Sequence, residues 1–200
     1  MKSNHSRRVI LASTSPRRQE LIASLGLPYE IYPSHADEST SEDWSPAQVV
    51  EGLALRKAEA VYPAFAEREE NAVIIGSDTI VVLEDRVLGK PANDQDAIDM
   101  LKSLQGRTHN VYTGVACIDA MNGKTIVRHQ VTSVTMKTLS DAKIRNYVKS
   151  GEPSDKAGAY GIQGLGATLV DRIEGCYFNV VGLPVSMLSD MLSEFGIDIL

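Results

Sequence analysis

Residues 72–91, AVIIGSDTIVVLEDRVLGKP, limit what this chain can fold into more than any other stretch. Val73–Ile75 and Ile80–Leu83 are apolar, rich in β-branched residues and short, which predicts two buried strands. Between them stands Gly76-Ser77-Asp78-Thr79. A carboxylate set among apolar strand residues carries a large desolvation cost unless a cation, a metal ion or hydrogen-bond donors meet it. Asp78 is therefore read as a functional group. Glu84-Asp85-Arg86 reads as a turn, and Val87-Leu88 as a returning strand that leads into Gly89-Lys90-Pro91. Such a hairpin carries Lys90 back towards the end that holds Asp78.

Two hundred residues suffice for a sizeable core, in one large domain or two closely packed lobes. A hydrophobic fraction of 43% and a charged fraction of 23% are those of an ordinary globular protein. The net charge of −6 argues against non-specific binding to nucleic acid or to an anionic membrane surface. Cys117 and Cys176 are far apart in sequence and form no metal-ligand spacing, so reduced thiols in a reducing compartment are expected. The start, MKSNHSRRVILAS, is basic but has only a short apolar run, Val9–Ala12, too short for a signal-peptide core or a membrane span. The expected location is the cytoplasm.

Val9–Ala12 predicts a buried strand, and Ser13-Thr14-Ser15-Pro16-Arg17-Arg18 follows at once. Ser15 before Pro16 is a helix-start signal, with Leu21, Ile22 and Leu25 as the apolar face and Gly26 as the stop. Two arginines in the first turn oppose the positive end of the helix dipole. Free N–H groups, hydroxyls such as that of Ser13, and the guanidinium groups of Arg17 and Arg18 instead make an anion site at this junction, most naturally for phosphate. YEIYP, residues 29–33, reads as a strand, and residues 34–45 as an acidic loop in which Asp37-Glu38 either helps to hold a divalent cation or is simply solvated. Ser45-Pro46 opens a long helix to about Val61, with Val49, Val50, Leu53, Ala54, Ala58 and Val61 as its stripe. Lys57 falls on that stripe. It either snorkels to water or projects beside Asp78 or a bound phosphate.

Residues 64–71 read as a charged connector. Asn93 or Asp94 caps a helix whose inward residues are Ala97, Met100, Leu101 and Leu104, ended by Gly106. Residues 110–119 and 124–137 form a hairpin through Asn122-Gly123. His109 and His129 have no ligand spacing and read as surface or strand residues. Ser140 caps a short helix with Ile144, Tyr147 and Val148 inward, ended by Gly151. The segment DKAGAYGIQGLG, residues 155–166, has too many glycines for a regular element and permits close approach of backbone to a ligand. Gln163 in its middle carries the donor-and-acceptor pair suited to a nucleobase edge. Residues 167–173 and 177–181 read as strands, and Leu183-Pro184 opens a last helix with Met187, Leu188, Met191, Leu192 and Phe195 inward.

Taken together, LASTSPRRQELI, Asp37-Glu38, Lys57 in LALRKA, GSDTIVVL with LGKP, VYTGV, and DKAGAYGIQGLG followed by VVGLP resemble the Maf-like nucleoside triphosphate pyrophosphatases along essentially the whole chain. The resemblance implies one domain over residues 1–200, of α/β class. Its expected form is an elongated, twisted mixed sheet with flanking helices and two lobes around a central cleft, a Maf/Ham1-like arrangement. Asp78-Thr79 and Gly161-Ile162-Gln163-Gly164 match the branch that cleaves dTTP and UTP to the nucleoside monophosphate and pyrophosphate. CTP and modified pyrimidine nucleotides are left open as further substrates. By resemblance Asp78 is the catalytic proton acceptor, and Arg17, Thr79 and Gln163 set substrate choice. Ser13, Arg18, Lys57 and Lys90 are expected to bind substrate as well, with Asp78 and Glu38 at a divalent metal. Mg²⁺ or Mn²⁺ suits such an oxygen-ligand site. The expected partner is a nucleoside triphosphate, with no nucleic acid and no membrane, and a homodimer is left open. Two alternatives stand beside this reading: the sister branch acting on 7-methyl-GTP, and a non-enzymatic nucleotide-sensing regulator of cell division.

Overall fold

The computed structural model describes residues 7–68 and 70–200; the basic start up to Ser6, and Glu69 in the expected connector, lie outside the described residues. In chain order the elements are β1 (Arg8–Leu11), α1 (Pro16–Ser24), β2 (Tyr29–Ile31), α2 (Pro46–Ala66), β3 (Ala72–Leu83), β4 (Arg86–Leu88) and α3 (Asp94–Leu104). Then follow β5 (Thr108–Asp119), β6 (Thr125–Met136), α4 (Asp141–Lys149), β7 (Val170–Glu174), α5 (Tyr177–Val181) and α6 (Val185–Ser193). The strands form one mixed sheet in the order β2-β1-β3-β5-β6-β7, with β4 paired to β3. β1 is parallel to both β2 and β3, whereas β4 is antiparallel to β3 and β7 antiparallel to β6. No helix of the described residues is long and apolar enough to cross a membrane.

The chain divides into two compact units. The first takes the chain up to Asp78, Thr113–His129 and Gly182–Leu200; the second takes Thr79–Tyr112 and Gln130–Val181. In the first, Ala54, Ala58, Val61 and Phe65 of α2 pack on Ile10, Ala72, Ile74, Ala116 and Ile118. The approach is close. A Cβ on Gly76 would lie 2.1 Å from the Ala54 carbonyl oxygen, and one on Gly114 would lie 2.2 Å from that of Val50. Glycine at both positions lets the α2 backbone sit directly on β3 and β5. In the second unit, Ala97, Leu101 and Leu104 of α3 and Ile144, Tyr147 and Val148 of α4 pack with Val111, Val134, Met136 and Tyr160.

Several sequence expectations change. The two apolar runs around Asp78 are one continuous strand, β3, because Gly76 yields space to α2 without breaking the ladder. α2 runs through Pro63 to Ala66, into the expected connector, since its last turn buries Phe65 edge-on to Tyr32 at 5.3 Å between ring centroids. Ser15 is the N-cap of α1, but its side chain makes no capping bond; Ser45, by contrast, forms a full capping box with Gln48. Residues 177–181 are helical, not extended. Gly175 and Gly182, at φ 129° and 121°, turn the chain on either side, and the buried Asn179 amide donates to the Val111 carbonyl and the Thr132 hydroxyl, each at 3.0 Å. β7 starts only at Val170 because residues 164–169 wind into a 3-10 turn. Of the two readings of His109, surface or strand, it takes the strand one: it is buried in β5, its Nε2 shares a 2.7 Å hydrogen bond with the Tyr160 hydroxyl, and burial lowers its pKa to about 4. Both cysteines are free thiols, with Cys117 pushed up to about 12 by burial.

Candidate active site

The order β2-β1-β3 reverses direction at β1: the chain leaves β1 for one neighbour and returns on its other side. In open α/β sheets the carboxyl ends of strands at such a reversal are where ligands bind. Here the carboxyl end of β1 carries the Ser13–Arg18 junction, and beside it Asp78 stands midway along β3, three residues past Ile75, where the pairing with β1 ends. The β1–β3 register pairs Leu11 with Ile75, and the Ala12 amide bonds the Ile75 carbonyl at 2.8 Å, so the junction runs alongside Ser77 and Asp78.

Asp78 shares the α2-facing side of β3 with Gly76, and there it meets Lys57. The Lys57 ammonium lies 2.6 Å from Asp78 Oδ1 and 2.8 Å from Glu38 Oε1. The Lys57 and Asp78 side chains are each only 13% exposed. Of the two readings of Lys57, it therefore takes the inward one, and removing either partner would leave a partly buried charge behind. Arg18 also turns inward, donating from Nε to the Gly182 carbonyl at 2.8 Å. Burial lowers its pKa below the ordinary arginine value, Asp78 and Glu38 raise it, and neighbouring Arg17 lowers it. The Ser13 hydroxyl, itself buried, accepts from the Ser15 amide at 3.2 Å and shapes the turn into α1.

Ser13, Arg17, Arg18, Glu38, Lys57 and Asp78 thus all belong to the first unit. Thr79, Lys90 and Gln163 belong to the second. Thr79 follows Asp78 directly on β3. Lys90 is exposed just past β4, where the Val81–Leu88 register, continued, falls opposite Thr79. Gln163 is half-buried and stands at the head of the 3-10 turn Gly164–Leu169.

Gly182 was not picked out by sequence reasoning. Its carbonyl accepts from Arg18 and, at 3.1 Å, from the buried Ser77 hydroxyl, fixing the side of β3 opposite Lys57. Its only signal in the sequence is a glycine ahead of Leu183-Pro184, and the structure gives the reason in its positive φ. Glu152 was likewise not anticipated, and its carboxylate organises the loop around Gln163.

No group of three or more His, Cys, Asp or Glu side chains gathers as a metal cluster among the described residues. Asp78 and Glu38, drawn to one ammonium, are a pair of hard oxygen donors. That set fits Mg²⁺ or Mn²⁺, which take one or two carboxylates and complete their shell with water and substrate phosphates.

Known proteins resemble this chain along nearly its whole length. The profile of a family described as "Maf-like protein" matches residues 8–195. A protein of Desulforamulus reducens named dTTP/UTP pyrophosphatase is 53% identical over 193 residues, covering 96% of this chain and 99% of that one. One of Moorella thermoacetica with the same name is 53% identical over 192 residues, covering 96% and 97%. Among solved structures, the Staphylococcus aureus Ham1 protein aligns over 94% of this chain and 100% of its own with a TM-score of 0.58 at 14% identity, a likeness of fold.

Proposed function

The chain belongs to the Maf-like proteins, and from that premise we propose that it hydrolyses dTTP and UTP to the nucleoside monophosphate and pyrophosphate. The observation that carries the proposal is Asp78, held by Lys57 on β3 just beyond the carboxyl end of β1, beside an arginine-bearing helix start. Asp78 takes a proton from the attacking water as its oxygen bonds to the α-phosphorus. The bond from that phosphorus to the α,β-bridging oxygen breaks, and pyrophosphate leaves. Arg17, Arg18, Lys57 and Lys90 balance the charge on the phosphoryl oxygens. A divalent cation, Mg²⁺ or Mn²⁺, on Asp78 and Glu38 supplies further neutralisation when bound.

A nucleotide sensor would also need cations for the phosphates, but it gains nothing from a carboxylate in their midst. Asp78 therefore favours the enzyme. The names of the relatives favour dTTP and UTP over 7-methyl-GTP. Base choice is assigned to Arg17, Thr79 and Gln163. The thymine and uracil edge presents an N–H donor between two carbonyl acceptors, which an amide, a hydroxyl and a guanidinium can satisfy. A site of that kind rejects bases that leave its polar groups unpaired.

The test is a panel of nucleoside triphosphates with pyrophosphate release as the readout, with and without chelator. Turnover of dTTP and UTP well above ATP, GTP and 7-methyl-GTP, lost on chelation and restored by Mg²⁺ or Mn²⁺, is expected. Gln163→Ala should narrow that preference more than it slows hydrolysis. A wild-type preference for 7-methyl-GTP would move the chain to the sister branch, and absence of any turnover would favour the sensor.

A further inference from the structure

The glycine spacing of residues 158–166 suggests a loop wrapped around a ligand, yet the group it wraps is one of the protein's own carboxylates. Glu152 Oε1 accepts from the Tyr147 hydroxyl at 2.8 Å and from the Gly166 amide at 2.9 Å. Its Oε2 accepts from the Leu165 amide at 2.9 Å. The Tyr147 oxygen in turn accepts from the Gly161 amide at 3.1 Å. The residue before that, Tyr160, is held by His109 at 2.7 Å. Gln163 is therefore bracketed, with Tyr160 and Gly161 fixed ahead of it and Leu165 and Gly166 behind.

The glycines follow from this packing. Gly164 has φ +61°, and a Cβ there would lie 2.7 Å from Glu152 Oε2; one on Gly166 would lie 2.1 Å from the Gly161 carbonyl and 2.7 Å from the Tyr147 hydroxyl. Larger residues would push the loop off the carboxylate. Burial alone would raise the pKa of Glu152, but donation from Gly166, Tyr147 and Leu165 and the charge of Lys156 outweigh it and lower the value. The carboxylate thus stays ionised as a multiple acceptor.

We propose that Glu152, together with Tyr147, is a positioning residue for base selection, holding residues 161–166 so that the Gln163 amide meets the base in one orientation. The inference rests on the reading of Gln163 as a base-reading residue. In this role Glu152 and Tyr147 act through the loop and not on the substrate. Their contribution is preorganisation, which a bound nucleotide otherwise has to supply by ordering the loop.

The experiment uses full-length Glu152→Gln and Tyr147→Phe. Glutamine keeps the shape but, whichever way its amide is turned, sets an NH₂ against the Leu165 or the Gly166 N–H, where two donors cannot pair. Phenylalanine removes the acceptor for Gly161 and the hydroxyl that bonds Glu152. Measured quantities are kcat and KM for dTTP and ATP, and inhibition by inorganic triphosphate. In Glu152→Gln the dTTP-to-ATP ratio of kcat/KM should fall at least about tenfold, chiefly through the KM for dTTP, with triphosphate inhibition within about twofold of wild type. Tyr147→Phe should move the ratio the same way by a smaller factor, and it decides the question alone if Glu152→Gln does not fold. An unchanged ratio overturns the proposal, as does a parallel loss with dTTP, ATP and triphosphate, the mark of a merely structural role. A wild-type enzyme without dTTP preference, or a Gln163→Ala variant with the wild-type ratio, would instead overturn the base-reading assignment itself.

Discussion

Gly76→Ala tests how the fold delivers Lys57 to Asp78. The new methyl would stand 2.1 Å from the Ala54 carbonyl oxygen, 2.8 Å from the Ala58 nitrogen and 3.1 Å from the Ala58 Cβ. A carbon–oxygen contact needs about 3.3 Å, so α2 or β3 must give by about 1 Å. Two of the three obstructing atoms are helix backbone, and no side-chain rotation relieves them. Overpacking of this kind costs about 2 kcal/mol, equivalent to a fall of about 4–8 °C in Tm for a chain of this size. Lys57 is carried on the turn of α2 that would be displaced, and its 2.6 Å contact with Asp78 has no slack. A shift of about 1 Å at the reacting groups lowers kcat/KM by about 10²-fold. Gly89→Ala, where an added methyl meets nothing within 4 Å, is the control and should change stability by less than about 0.5 kcal/mol. Thermal melts and dTTP kinetics on both variants check this. A Gly76→Ala protein with wild-type Tm and kcat/KM would refute the claim that helix-on-strand contact sets the geometry.

Further outcomes follow from the same geometry. Asp78→Asn should keep the fold, since Glu38 still meets the Lys57 ammonium at 2.8 Å, and keep triphosphate binding, while lowering kcat by about 10²-fold or more, as steady-state pyrophosphate release would show. Arg17→Ala should raise the KM for dTTP with little change in Tm, since a cation leaves the positive end of α1; a lower Tm with unchanged kinetics would make Arg17 structural. His109 adds a pH dependence. Its folded pKa of about 4 lies below the ordinary 6.5, so between these values the unfolded chain binds more protons. The stability it contributes is present above about pH 6.5 and is lost as pH falls towards 4, in total about 3 kcal/mol. Urea unfolding at pH 7 and pH 4.5 should show a drop that His109→Gln reduces.

The candidate residues of the first unit were largely legible in the sequence, because the signals there are local violations of simple rules. Asp78 interrupts an apolar strand, Arg17 and Arg18 oppose a helix dipole, and Lys57 breaks an apolar stripe; the structure brings Lys57 onto Asp78 and turns Arg18 inward within reach of the Asp78 charge. The order β2-β1-β3, which puts the junction beside Asp78, comes from long-range pairing that no local pattern encodes. The same holds for the α2 contacts at Gly76 and Gly114, where a glycine reads only as flexibility until the crossing helix is seen. Residues 177–181 misled because β-branched and aromatic propensity was overridden by the buried Asn179 amide and the flanking glycine turns. The loop 155–166 was legible as irregular, but its organising group, Glu152, carries no signature. A single acidic residue before a proline looks like any solvated turn.

The most direct test of the central claim is dTTP hydrolysis in H₂¹⁸O, with the products separated and weighed by mass spectrometry. Attack of water on the α-phosphorus predicts dTMP carrying one ¹⁸O and unlabelled pyrophosphate. Label in the pyrophosphate, release of dTDP and inorganic phosphate, or intact dTTP after prolonged incubation with Mg²⁺ or Mn²⁺ would contradict it.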